Sequence, residues 1–169
     1  MNVDPQTVRR VIGDAIAEDL GAGDKTSDAV IPQEARFAGV LRARQDLVVA
    51  GIAIAQEVFR TLDGQCLFEI LANDGEPAAA GRELATIEGR ARPMMAAERT
   101  ALNLLQHLSG IATQTRLYAE RIAGTGAVLL DTRKTVPGLR ELAKYAARMG
   151  GAQNHRLRLD DGVLIKDNH

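Results

Sequence analysis

The chain has 169 residues, enough for one domain or two small ones, and 46% hydrophobic with 25% charged residues is the composition of a folded globule. A formal net charge of -1 and a pI near 6.3 give no case for nucleic-acid binding, where a broad basic face would be expected. No apolar run approaches a membrane span and no charged start leads into one as in a secretory leader, so the expected setting is the cytosol, off the membrane.

In chain order, Asp4-Pro5 reads as the cap and first position of a helix whose apolar stripe is Val8, Val11, Ile12, Ala15, Ile16 and Leu20. Glu18 to Gly21 and Gly23 to Ser27 read as a turn-rich connection whose acidic residues serve as turn and capping groups. From Phe37, Val40, Arg42 and Arg44 alternate with Leu41 and Ala43 at the strand period of two. A helix is expected over Ile52 to Leu62, then short strands over Cys66 to Leu71 and Glu83 to Ile87, separated by turns at Asp74-Gly75 and Gly81. Cys66 has no partner for an internal disulfide and is expected as a small buried apolar residue. Helices over one small mixed sheet make an α+β layer. A lipoyl-like or other binding module would share this mixture, but no modifiable Lys sits in a hairpin turn.

A long helix follows, roughly Met94 to Leu108, packing through Ala97, Ala101, Leu104, Leu105 and Leu108. Arg99 lies off that stripe, and by itself reads as a solvated helix Arg beside Glu98. Asn103 and Gln106 are candidates for polar support, while His107 reads as a surface residue. Ser109-Gly110 is expected as a hinge, with a separate connecting helix from Thr113 to Ile122.

Ala127 to Leu130 then reads as a buried strand that runs into Asp131-Thr132-Arg133-Lys134-Thr135-Val136-Pro137-Gly138-Leu139-Arg140. Pro137 suits a helix's first turn, Leu139, Leu142, Ala143, Ala146 and Met149 recur at helical spacing, and Gly150-Gly151 ends the run. Val163-Leu164-Ile165 gives a second strand with Lys166 at its carboxyl end. One right-handed βαβ unit would set Arg133, Lys134 and Lys166 on a common rim, with His155 and Arg156 on the approach. Arg offers a planar fork and Lys a point charge to anions, so this rim suits a small, multiply anionic ligand. The plainer alternative is an exposed loop whose charges face water.

At Glu98 to Asn103, Ser109 to Thr113, Asp131 to Arg140, His155-Arg156 and Ile165 to His169, the chain resembles the quinolinate phosphoribosyltransferases. These are also known as carboxylating nicotinate-nucleotide pyrophosphorylases. The resemblance runs from about Glu18 onward, and its second half is the more specific. It implies α/β plus α+β architecture: an N-terminal open-faced α/β sandwich over 1–108, serving dimerisation, then the first part of an α/β barrel over 109–169. It implies the substrates quinolinate and phosphoribosyl pyrophosphate, with nicotinate mononucleotide, carbon dioxide and pyrophosphate as products. By the same resemblance Arg99, supplied across a homodimer or higher homo-oligomer, joins Arg133, His155 and Arg156 on the substrate carboxylates. Lys134 and Lys166, the expected catalytic residues, face the donor's phosphates and ribose, and Thr132 adds backbone and hydroxyl contacts. A His155 serving only as packing is the alternative. Mg2+ is implied as the donor's companion ion, with protein ligands expected beyond His169.

The chain departs from the family pattern at Ala152, where a third glycine is usual, and at Arg158, Asp160 and Ala146. Arg158 is expected to alter the pocket or to pair with Asp160 or Asp161. The matching part of the barrel stops at Lys166-Asp167-Asn168-His169, so this chain alone is expected to be incomplete and inactive. Other readings are a non-catalytic anion-binding or dimerising domain, or a related phosphoribosyltransferase with another acceptor, such as the one associated with molybdenum uptake.

Overall fold

The computed structural model describes residues 3–169. Asp4 caps α1 (Pro5–Leu20) by accepting from the Gln6 and Thr7 N–H groups, and Pro5 occupies the first turn. The Thr7 N–H is the main reason the Asp4 carboxyl titrates below its usual range. Asp24 does the same for α2 (Lys25–Val30), so a short helix stands where only turns were expected.

β1 (Arg36–Arg42) pairs antiparallel with β5 (Glu83–Arg90), which pairs antiparallel with β3 (Leu67–Ile70) on its other side. β2 (Leu47–Val48) and β4 (Pro77–Ala78) form a separate two-residue ladder. The register places Leu41 opposite Ala85 and Phe68 opposite Ile87, all buried, and Phe68 meets Phe59 of α3 (Ile52–Leu62) with ring centroids 5.9 Å apart. The alternate positions Ala38, Val40, Leu67 and Thr86 look outward, bordered by the Arg36–Glu88 and Arg42–Glu83 ion pairs. This is the open-faced α/β sandwich that the family resemblance implied; in place of one mixed sheet it has two, and all their strand pairs are antiparallel. Cys66 is buried as expected, and burial pushes its thiol up.

Ser109-Gly110 is not a hinge: α4 runs unbroken from Ala91 to Arg121. Ser109 Oγ accepts from the Ala50 N–H at 3.1 Å, and Thr113 Oγ1 accepts from the Val48 N–H at 2.9 Å. The polar residues that suggested a break instead satisfy the backbone of the segment packed against the helix.

Beyond α4, the expected strands reduce to one parallel bridge, Leu130 with Gln153, closed by Asp131 N–H to Gln153 O and Gln153 N–H to Leu129 O. α5 (Arg140–Met149) connects the two segments. Pro137 lies in the turn before it, because Gly138 at φ +84 breaks the helical path. At the far end Gly150 lies so near α4 that a Cβ there would stand 2.4 Å from the Ala112 carbonyl oxygen. The positive φ of the following turn falls on Gly151, and Ala152, where a third glycine would be usual, has no positive φ to accommodate. Val163-Leu164-Ile165 forms no strand, and Val163 is 94% exposed. Gln153 holds the ladder position that the sequence pattern assigned to that run. No helix among the described residues is long and apolar enough to cross a membrane.

Candidate active site

The bridge makes the chain leave two neighbouring segments at the same end, one into Thr132-Arg133-Lys134 and the other into Asn154-His155-Arg156. Asp131 joins them. Its Oδ1 accepts from the His155 N–H at 2.8 Å and from Lys144 Nζ, and its Oδ2 accepts from Asn154 Nδ2 at 2.6 Å. Arg133 and Lys134 therefore share a rim with His155 and Arg156, which the βαβ reading put only on the approach. The adjoining segment is 153–156, where a strand at Val163 to Lys166 was expected.

Each cation is presented differently. Arg133 is half-buried, and its Nε is enclosed without a hydrogen-bond partner, the one such buried side-chain atom among the described residues. A guanidinium N–H left in that state is costly unless a bound anion accepts from it. Lys134 is exposed and its side chain is unpaired among the described residues, while its N–H donates to Thr132 Oγ1 at 3.1 Å and shapes the turn. Arg156 donates to the Gly162 carbonyl at 2.7 Å. Its backbone N–H donates to His155 Nδ1 at 2.8 Å, which assigns the neutral imidazole its proton on Nε2. The remaining ring nitrogen is then a donor.

Two expected members stand apart. Lys166 lies in the irregular, exposed 163–169 segment, where its N–H donates to His169 Nδ1 and its side chain meets no partner among the described residues. Arg99 is exposed on α4 with no polar partner among the described residues. Asn103 lines a cleft of about 400 Å³ with Arg10 and the Val136 to Leu139 turn, where Arg10 reaches the Gly138 carbonyl at 3.5 Å. Gln106 and His107 line another, of about 610 Å³, beside Leu129 to Asp131. Arg158 pairs with Asp160 at 3.3 Å, as expected, with both side chains exposed. For Mg2+ the described residues offer no fit: they bring no three His, Cys, Asp or Glu side chains together, and Asp131 is occupied by Lys144, Asn154 and the His155 N–H.

Sequence reasoning missed Lys144 and Asn154. Lys144 lies between the apolar positions of α5, and its burial depends on Asp131, thirteen residues away. Nothing in helical periodicity announces such a partner.

Known proteins resemble this chain over nearly its whole length. Residues 24–109 match the family "Quinolinate phosphoribosyl transferase, N-terminal domain", and residues 111–169 its C-terminal counterpart. A probable nicotinate-nucleotide pyrophosphorylase [carboxylating] of Synechocystis sp. is 45% identical over 91% of this chain and 52% of its own length. The Mycobacterium leprae nicotinate-nucleotide pyrophosphorylase [carboxylating] is 44% identical over 96% of this chain and 57% of its own length. The crystal structure of NadC from Streptococcus pyogenes superposes with a TM-score of 0.96 at 36% identity, covering 100% of this chain and 60% of that one. The chain thus spans about half the length of the curated relatives it matches.

Proposed function

We propose that this chain, which belongs to the quinolinate phosphoribosyltransferase family, carries the acceptor-binding rim of an enzyme that makes nicotinate mononucleotide, carbon dioxide and pyrophosphate from quinolinate and phosphoribosyl pyrophosphate. One observation carries the proposal: Arg133, with its enclosed and unpaired Nε, stands on the same rim as Lys134, His155 and Arg156. A site for two carboxylates needs planar donors and a hydrogen-bonding imidazole in fixed relation, and this rim supplies them.

In the reaction the pyridine nitrogen gives its lone pair to the ribose anomeric carbon, and the bond to pyrophosphate breaks with its electron pair on the leaving oxygen. The ring, now cationic at nitrogen, then accepts the electron pair of the bond to the adjacent carboxylate, releasing carbon dioxide, and a proton takes that place. Neither step needs a strong base. Arg133, His155 through Nε2–H and Arg156 orient the acceptor by its carboxylates, and Arg99 contributes from a second subunit. Lys134 and Lys166 lie against the donor's phosphates and ribose, and Thr132 completes the turn. Positioning and fixed charge provide the catalysis. Mg2+ enters the proposal only as the donor's counter-ion, and no step above runs through it. Cytosolic placement belongs to the same proposal, since such multiply charged substrates do not cross membranes unaided.

Titration calorimetry of the protein with quinolinate and with nicotinate tests the reading. Quinolinate is expected to bind more tightly by about 1.5–3 kcal/mol, the value of one further charge-assisted contact. Equal affinities would mean that the rim does not read the second carboxylate.

A further inference from the structure

Lys144 sits on the buried side of α5, among positions that Leu142, Ala143 and Ala146 fill with aliphatic groups. Its side chain is 4% exposed and that of Asp131 is 7% exposed. A buried ion pair gains little stability over an apolar pair of similar volume, because desolvation offsets most of the attraction. The role of such a pair is to be sought in what it holds in place.

The contacts identify what that is. Lys144 Nζ donates to Asp131 Oδ1 and, at 2.9 Å, to the His155 carbonyl. Asp131 also accepts from the His155 N–H at 2.8 Å and from Asn154 Nδ2 at 2.6 Å. Asn154 Nδ2 lies 2.9 Å from the Lys144 carbonyl as well. Three segments are locked together: the end of the Leu129 to Asp131 run, the middle of α5, and Asn154-His155. Arg133 stands two residues beyond the first of these, and Arg156 directly follows the last. The pair therefore sets the spacing between the two cation-bearing segments. It also cancels the charge of Asp131, a carboxylate that would otherwise repel an anion at the rim.

We propose that Lys144 and Asp131 are positioning residues for the acceptor, touching no substrate and acting through Arg133 and His155. The inference rests on the reading of this rim as the dicarboxylate site. Lys144→Met alone leaves Asp131 buried without a partner and can unfold the chain, so the deciding variant is the double exchange Asp131→Asn with Lys144→Met. Amide hydrogen exchange and titration calorimetry with quinolinate are compared with the wild type. In the folded double variant the His155 amide is expected to exchange at least tenfold faster. The quinolinate Kd is expected to rise at least tenfold at unchanged stoichiometry. A pair that is merely structural would lower the stoichiometry and leave Kd alone, and that result overturns the proposal. So does unchanged exchange at His155, whatever the ligand does. A wild-type protein without affinity for quinolinate would sink the proposed function separately, and the exchange comparison would still decide the role of the pair.

Discussion

At the scale of single residues, Arg133 separates site from scaffold. Its Nε has no partner in the fold, so removing the side chain breaks no internal hydrogen bond made there. In a full-length enzyme that contains this chain, Arg133→Ala is accordingly expected to cost about 2–4 kcal/mol in kcat/KM or in quinolinate binding, with the melting temperature nearly unchanged. Arg133→Lys should rescue only part of this, because a point charge cannot reproduce a planar fork. A sharp fall in melting temperature, with turnover tracking the folded fraction, would make the residue structural. Arg133 and Lys134 were legible as a cation pair at the end of an apolar run, whereas His155 and Arg156 were expected only on the approach, because the segment that pairs beside the rim is 153–156 and carries no apolar strand pattern. Lys144 was not legible, since a cation is stable in the interior only through a distant partner such as Asp131, and no local period encodes that partner. The strand expected to carry Lys166 does not form, because an apolar triplet ending in a cation looks the same whether or not a neighbouring strand exists to pair with it.

At the scale of elements, α5 is held from two sides. Lys144 fastens it to the rim. On its other flank Tyr145 donates to Asp74 Oδ2 at 2.5 Å, while Asp74 Oδ1 accepts from the Ile52 N–H at 3.0 Å, the first residue of α3. One carboxylate thus caps a sandwich helix and anchors a helix of the second segment, and Arg116 adds bonds to the Met149, Gly150 and Gly75 carbonyls. Tyr145→Phe removes a hydrogen bond to a charged group and should lower stability by about 1.5–3 kcal/mol, read by chemical denaturation. The pH dependence has a definite sign. Burial, then the Asp74 hydrogen bond and charge, raise the phenol above its ordinary value of about 10, against the opposing Arg148 cation. The folded state therefore favours the neutral phenol, so its contribution is complete below about pH 10 and disappears as pH rises through the raised value. The alkaline fall in melting temperature should be shallower in Tyr145→Phe than in the wild type, and identical slopes would exclude this account. α1 and α3, whose apolar stripes are strong, were legible almost to the residue, whereas β1 stops two residues short of the alternation that ran to Arg44 and β5 continues three residues past Ile87 to Arg90. The unbroken α4 was not legible, because Ser and Gly in mid-helix signal a break unless the backbone that Ser109 serves is known.

At the scale of the whole molecule, two kinds of association can be told apart. The proposed function needs Arg99 in a neighbour's site, and a closed two-fold dimer provides it. Inactive Arg99→Ala and Lys134→Ala forms of a full-length enzyme that contains this chain, mixed and refolded together, should then regain some activity, and confirmed heterodimers without activity would return Arg99 to its own subunit. A second tendency lies in the exposed apolar side chains beside the bridge and in the 163–165 run. Val128 is 57% exposed, Leu130 49%, Val163 94% and Ile165 79%, and the backbone of the Val163 to Ile165 run has no strand beside it. Apolar side chains next to unpaired strand-like backbone invite pairing that does not close on itself. Hydrogen exchange on this 169-residue chain should accordingly be slow across α5, whose Leu142 and Ala146 are buried and whose ends are tied down, and fast from Leu157 onward. Sedimentation velocity should show a dimer together with larger species that grow with concentration. The double variant Val163→Glu with Ile165→Glu should remove the larger species and leave the dimer, because charges on an open edge oppose stacking without touching a closed interface elsewhere. An unchanged size distribution in that variant would place the association on another surface. Loss of the dimer along with the larger species would mean that the Val163 to Ile165 run belongs to the closed interface itself.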